Sequence, residues 1–320
     1  MKIKIVGAAA GGGFPQWNCN APLSRAVRQA RPGFLARTQS SLAASADGVH
    51  WALLNASPDL RAQIAATPEL QPRADGPLRH TPIAAVVLTN ADVDHIAGLL
   101  NLRERQPFSL YATARVLETL DANSIFRVLN PAHVERRELP LSGTTELIGP
   151  DGPTGLSIET FVVPGKVALF LEDEGAAAEN FGTREGDTIG VRIASDRSGE
   201  TPGRSDPHRG IYYIPGCAQV DDALRQRLEG AGCLMFDGTV FVDTEMHDTG
   251  VGEKTGARMG HMAISGPDGS IEALRGLDIA RKVFVHINNT NPILEPGSDA
   301  ERFVTDQGWE IAYDGMEMEF

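Results

Sequence analysis

Polar and apolar residues alternate from Lys2 to Val6, the period of a strand with one face against a core. Gly7 to Gly13 follows as a glycine-rich loop. Residues 40–46 and 49–54 flank Asp47-Gly48, a pair suited to tight hairpin turns, and so predict two antiparallel strands. In Asn55-Ala-Ser-Pro-Asp59, Ser57 is placed to cap a helix with Pro58 at its first position. Ile83 to Leu88 is apolar throughout, as a strand buried on both faces is. Asp94 to Arg105 reads as a helix. Further strands are predicted at 108–111, 156–163, 188–194, 211–214, 233–236 and 282–287, and helices at 113–121, 219–229 and 299–307. The polar, Gly- and Pro-rich stretches 172–187 and 196–210 read as surface loops.

Strands and helices interleave along the chain, which predicts a layered α/β architecture. No internal repeat or shift of composition marks a boundary, so residues 1–320 are expected to form one domain. The net charge of −13 argues against a nucleic-acid partner or an anionic membrane surface, both of which need clustered Lys and Arg. It leaves small molecules and peptides as substrates. No apolar stretch reaches the length of a membrane span, and the N-terminal apolar run is too short for a signal peptide. Cys19, Cys217 and Cys233 are odd in number and lie far apart, which fits a reducing compartment. The expected location is the cytoplasm.

Several strings imitate known sites. Gly7-Ala-Ala-Ala-Gly11-Gly12-Gly13 follows a strand but lacks the G-x-G-x-x-G spacing of a dinucleotide loop. Gly252-Glu-Lys-Thr255 lacks the glycine that precedes a P-loop lysine. Asn90-Ala-Asp92-Val-Asp94 opens like a calcium loop, yet His95 stands where glycine is required.

Chemistry concentrates where apolar strands end. The run Val86-Val-Leu-Thr-Asn90-Ala-Asp92-Val-Asp94-His95 passes from a strand into a loop with two carboxylates and an imidazole. Carboxyl ends of strands converge on the crevice that binds ligands in α/β sheets, and this donor set suits a divalent metal. The competing reading makes Asp92 or Asp94 a helix cap. Lys282-Val-Phe-Val-His286 is a second apolar strand ending in histidine, so His286 is the candidate partner of Asp92, Asp94 and His95. Its alternative is a core histidine bonded to backbone.

The spacing Asn90-x-Asp92-x-Asp94-His95 lines up with the H-x-H-x-D-H motif of the metallo-β-lactamase fold. Longer segments resemble the coenzyme PQQ synthesis protein B family. They include Gly11-Gly-Gly-Phe-Pro-Gln-Trp-Asn-Cys19, Arg37-Thr-Gln-Ser-Ser41, Gly98-Leu-Leu-Asn-Leu-Arg-Glu104, Asp237-Gly-Thr239, Met259-Gly-His261 and His286-Ile-Asn-Asn-Thr-Asn-Pro-Ile293. The resemblance spans nearly the whole chain. It implies a four-layer αββα sandwich with two mixed β-sheets and a metal at their edge. It also implies a role in making pyrroloquinoline quinone (PQQ), a redox cofactor built from Glu and Tyr of a precursor peptide. Partners implied are a Glu–Tyr-derived precursor or PQQ itself and other proteins of that pathway, with room for a homodimer.

Departures from the fold's dinuclear hydrolases carry the chemistry. Asn90 and Asp92 occupy the places of the first two histidines, and Val163-Pro-Gly-Lys166 holds no histidine where a third is usual. Cys217 falls near the usual bridging aspartate. The resemblance thus leaves one metal site, Asp94, His95 and His286, with Asp92 as a fourth ligand or an acceptor that orients a histidine. His261 is the candidate acid or base by analogy with those hydrolases. Asn90, Cys217, Asp237 and Asn288 are further pocket candidates. One carboxylate and two imidazoles match the facial triad of non-haem iron(II) oxygenases, so the expected ion is Fe(II), with zinc an alternative in purified protein. The expected activity is hydroxylation of the precursor's tyrosine. A carrier that moves PQQ or its precursor toward the periplasm and a metal-dependent hydrolase are the competing readings. The family's C-x-C-x-x-C cluster is reduced here to Cys19-Asn-Ala-Pro-Leu-Ser24, so no structural zinc is expected and Cys19 reads as a buried free thiol.

Overall fold

The computed structural model describes residues 1–173, 182–195 and 210–320. Its strands form two seven-stranded sheets. The first half of the chain supplies β1 (Lys2–Gly7), β2 (Ser41–Ser45), β3 (Trp51–Leu54), β4 (Ile83–Val87), β5 (Phe108–Ala112) and β6 (Val134–Glu138). The second half supplies β7 (Thr144–Gly149), β8 (Gly152–Val162), β9 (Ile189–Ser195), β10 (Ile211–Ile214), β11 (Cys233–Asp237), β12 (Lys282–Val285) and β13 (Trp309–Ile311). The last strand, β14 (Met316–Glu319), returns to the first sheet beside β1. Both sheets are mixed. β1 to β3 and β7 to β10 pair antiparallel, whereas β3 to β6 and β10 to β13 pair parallel.

Side-chain alternation along the strands separates three apolar layers. Ile3, Ile5, Leu42, Ala44, Leu54 and Val87 of the first sheet meet Ile158, Val191, Tyr213, Met235 and Val285 of the second. Their neighbours one residue away point outward, as the period of two requires. Ala43, Leu53 and Val86 pack with Leu60 of α2 (Leu60–Ala66) and Val116 and Leu120 of α4 (Ala114–Ala122). Tyr212, Leu234 and Phe284 pack with Leu224 of α5 (Asp222–Leu228) and Val304 of α9 (Asp299–Asp306). The order of layers is therefore helix, sheet, sheet, helix. Short helices complete the chain: α1 (Pro22–Arg28), α3 (Val93–Ile96), α6 (Glu245–Asp248), α7 (Gly256–Met259) and α8 (Ser270–Ala273). Among the described residues, no helix is long and apolar enough to cross a membrane.

The sequence expectations differ from this structure in a few places. Asp94–Arg105 is not one helix. The single turn α3 passes into a 3-10 segment, Ala97–Leu102. Gly98 lies so close to the preceding loop that a Cβ there would meet the Ser57 carbonyl at 2.0 Å. Ser57 does not cap α2. Asp59 holds that place, and the Ser57 hydroxyl donates instead to Gln63 Oε1 (3.0 Å). The strand predicted to run to residue 287 stops at Val285, because His286 turns into the left-handed region at φ +56°. Of the two polar loops, residues 174–181 and 196–209 lie outside the described residues. Asp187, at the end of the first, is buried against Arg115 rather than on the surface.

Candidate metal centre

The carboxyl ends of β4, β11 and β12 open on one edge of the two sheets. The loop after β4 carries Asn90 and Asp92, and the single turn α3 that follows carries Asp94 and His95. The end of β11 carries Asp237 and, two residues on, Thr239. The end of β12 delivers His286. Asp94, His95 and His286 bring three donor atoms within 4.8 Å of one another. His286 reaches this position through its positive φ, a conformation that costs a non-glycine residue about 1–2 kcal/mol. Such strain persists where the surroundings fix it, and it gathers at functional sites.

Each imidazole is oriented from behind. His95 Nδ1 donates to Asn90 Oδ1 (2.6 Å), and Asn90 Nδ2 donates in turn to Asp92 Oδ2 (2.9 Å). A proton on Nδ1 leaves the lone pair of His95 on Nε2. That nitrogen is buried and, among the described residues, has no hydrogen-bond partner. On the other side Asp237 Oδ1 accepts from the Thr239 hydroxyl (2.6 Å), which makes Thr239 Oγ1 an acceptor for His286 Nδ1 (2.8 Å). His286 Nε2 lies at hydrogen-bond distance from Asp94 Oδ2 (3.1 Å). His95 Nε2 lies 4.0 Å from the same oxygen. The unpartnered His95 Nε2 faces this carboxylate–imidazole pair in a buried space, and a buried lone pair without a donor is satisfied when a cation joins the three groups. The residues present therefore fit a divalent metal.

The electrostatics agree. Burial pushes His95 down to about 4, only partly offset by the Asp94 charge, so the ring is neutral near pH 7, as a ligand must be. Burial opposes the Asp94 charge, but the adjacent imidazoles, with the His286 hydrogen bond among their effects, outweigh it and hold the carboxyl well below its usual range. Asp92 is pushed up to about 6 by burial and by the neighbouring Asp94. It lies outside the three-donor group and braces Asn90.

A second group, Asp237, His261 and His286, also places three donor atoms within 4.8 Å. Here the polar atoms satisfy one another. His261 Nδ1 donates to Asp237 Oδ2 (2.6 Å), which also accepts from the Cys217 backbone N–H (2.9 Å). Burial pulls His261 down, but the Asp237 charge and hydrogen bond outweigh it and raise the imidazole. The expectation that Cys217 takes the place of a bridging aspartate is not met. Its Sγ donates to the Gln219 carbonyl (3.1 Å), burial pushes its thiol up to about 12, and Asp237 faces the histidines instead.

An open cavity of about 240 Å³ lies over the centre. Asn90, Asp92, Asp94, His261, His286 and Asn288 line its floor, and Lys166, Leu169, Lys254 and Met259 form its rim. Glu172 accepts from both Lys166 and Arg258 (Nη2 to Oε2, 2.7 Å), so the segment after β8 is tied to α7 across the rim. Sequence reasoning did not name Thr239 or the rim residues as site residues. The segment Asp237-Gly-Thr239 at a strand end was the available signal for Thr239. A larger cavity, about 560 Å³, lies between Gln16–Pro22 and Met246–Val251. Cys19 lines it and is part-exposed, not buried as expected, and the three-donor groups lie elsewhere.

The beta-lactamase superfamily domain matches residues 50–287. A coenzyme PQQ synthesis protein B from Gluconacetobacter diazotrophicus is 50% identical over 320 residues, 99% of this chain and 98% of that one. This chain belongs to the coenzyme PQQ synthesis protein B family. Another family member, from Xanthomonas oryzae, is 47% identical over 318 residues and 99% of both chains. The crystal structure of the Zn(2+)-bound family member from Methylobacterium extorquens covers all of both chains at 46% identity with a TM-score of 0.91. A diphosphatase of the PhnP family aligns over 100% of this chain and 97% of its own at a TM-score of 0.66. At 19% identity that likeness shows the fold alone.

Proposed function

We propose that the chain acts in pyrroloquinoline quinone biosynthesis as a mononuclear, metal-dependent hydroxylase of the tyrosine in a Glu–Tyr-derived precursor. The family's name supports the pathway. The observation that carries the chemistry is the His95 Nε2, buried and without a hydrogen-bond partner among the described residues, facing Asp94 and His286. A dinuclear hydrolase needs a second ion beside the first. Of the two residues in the places that would serve it here, Asn90 is an amide already engaged with His95 and Asp92, and Asp92 is the acceptor of that amide.

Asp94, His95 and His286 would hold one divalent ion. The Methylobacterium relative holds zinc, and we assign Fe(II) as the working ion of this chain because one carboxylate and two imidazoles form the triad of iron oxygenases. Iron(II), when bound, supplies one-electron chemistry with dioxygen at open coordination positions. Asn90 and Thr239 fix the tautomers of the two imidazoles, the support that metal-bound histidines require. Asp237 and His261 form a carboxylate–imidazole pair beside the cavity, able to take or return a proton at a phenol hydroxyl.

Protein loaded with Fe(II) without oxygen and then given Glu–Tyr, air and a two-electron reductant such as ascorbate is expected to consume oxygen and yield a catechol, one oxygen atom entering the ring and the other leaving as water, read by an oxygen electrode and mass spectrometry. Absence of turnover with iron, manganese, cobalt and zinc would refute the reading. A phosphodiester or peptide cleaved by the zinc form favours a hydrolase, for which the Asp237, His261 and His286 donors are the supporting feature. PQQ production that survives Asp94→Ala and His95→Ala favours a carrier.

A further inference from the structure

The rim and floor of the cavity differ in sign. The floor presents Asp92 and Asp94, a surface for a cation. The rim presents two lysines, although the chain as a whole carries a net charge of −13. Their situations are unlike. Lys166 is paired with Glu172, which also takes Arg258. Lys254 is half-buried in the short loop between α6 and α7, and among the described residues its amine has no hydrogen bond or ion pair. The loop that carries it is held in place. Thr255 caps α7 through the Arg258 backbone N–H (3.1 Å), and Asp243 Oδ1 accepts from the Ala257 N–H (2.7 Å). Leu169 and Met259 supply apolar surface on the same rim, and Leu169 is more than half exposed.

A positioned, unpaired ammonium beside apolar surface at the mouth of a metal cavity suits a ligand that is apolar in its body and anionic at its end. We propose that Lys254 is a specificity residue that pairs with a carboxylate of the substrate, while Leu169 and Met259 cover its aromatic ring. The inference rests on the hydroxylase reading for its choice of cavity and deepens it to a substrate class, carboxylate-bearing aromatic compounds. Lys254 acts on binding and does not touch the metal ligands, so the two readings separate.

The test uses the zinc-loaded full chain and its Lys254→Gln and Lys254→Arg variants, with Glu–Tyr and PQQ as probes in calorimetric titrations at two salt concentrations. Zinc content is expected to match in all three proteins. Lys254→Gln is expected to weaken the bound probe about tenfold, and Lys254→Arg to stay within about threefold, because the ion pair at a half-buried site depends on charge. The salt dependence is expected to flatten in the Gln variant. Equal affinity of wild type and Lys254→Gln, or no binding of either probe to wild type, would overturn the assignment. Charge-dependent binding of PQQ without binding of Glu–Tyr would sustain Lys254 as the carboxylate site and sink the hydroxylase reading instead.

Discussion

His286 shows how single side chains set this centre. Its ring orientation depends on one hydroxyl, Thr239 Oγ1, which is itself oriented by Asp237. Thr239→Val keeps the shape and removes the acceptor for Nδ1. We expect about 10–100-fold weaker zinc binding, the range for loss of a group that orients a metal ligand, with an unchanged circular dichroism spectrum. Unaltered zinc affinity in a competition titration would show that the hydroxyl has no such role. Gly98 acts through volume alone. A methyl group there runs into the Ser57 carbonyl, and neighbouring backbone leaves no flexible side chain to yield. Gly98→Ala is expected to cost at least about 1–3 kcal/mol, as overpacking does, measured by urea unfolding. A stability equal to wild type would mean that the 3-10 segment after His95 shifts freely.

Between residue and molecule, the β2–β3 hairpin turns on Asp47. Burial pushes this carboxyl up, but hydrogen bonds from the His50 ring and from the Val49 and His50 N–H groups outweigh it, taking it from near 3.8 to about 2. A carboxylate depressed in the folded state stabilises above its unfolded value, and the contribution fades as pH falls from about 4 toward 2. The turn is open to water, so screening reduces the contribution to about 1 kcal/mol. Asp47→Asn is thus expected to be less stable than wild type at pH 7, to close about half of that gap by about pH 3 and to be nearly equal to it only near pH 2, by urea unfolding across that range. A difference that does not change with pH would remove the charge from the account. This hairpin was legible from Asp47-Gly48 and its apolar flanks, and β4, β5, β10, β11 and β12 were legible because burial on both faces makes them apolar along most of their length. β6 and β7 escaped notice because they are edge strands with mostly part-exposed, polar side chains. Asp94, His95 and His286 stood out because each follows an apolar strand. Thr239 and Lys254 did not, since a threonine and a lysine in loops carry no pattern until neighbouring strands bring them to one edge.

At the scale of the molecule, the two halves of the chain build one sheet each, and the final strand fastens them. β14 pairs with β1, sets Met316 and Met318 opposite Ile5 and Ile3, and buries both methionines between the sheets. Two residues before it in the turn, Asp314 accepts from the Ala8 N–H (3.0 Å) and from the Thr38 N–H and hydroxyl (2.7 Å each). It thereby braces the glycine-rich loop whose Gly11 sits over Asp94, where a Cβ would lie 3.4 Å from Oδ2. Glu317 adds an ion pair to Lys4 (2.7 Å). These contributions differ in kind. Glu317 is largely exposed and Lys4 keeps Glu69 (2.8 Å), so Glu317→Gln is expected to cost less than about 1 kcal/mol. Met318→Ala empties space in the inter-sheet core and is expected to cost about 2–5 kcal/mol. Deleting residues 315–320 removes both methionines and leaves β1 as an unpaired edge, which invites association between chains. The expected order of melting temperatures is therefore wild type, Glu317→Gln, Met318→Ala and then the truncated chain, with aggregates in size-exclusion chromatography only for the last. Because Asp314 and the loop at Ala8 are joined, the truncated chain is also expected to lose bound zinc to a chelator faster than Met318→Ala does. Equal zinc retention in these two proteins would show that the closing strand supports the sheets and not the centre at their edge.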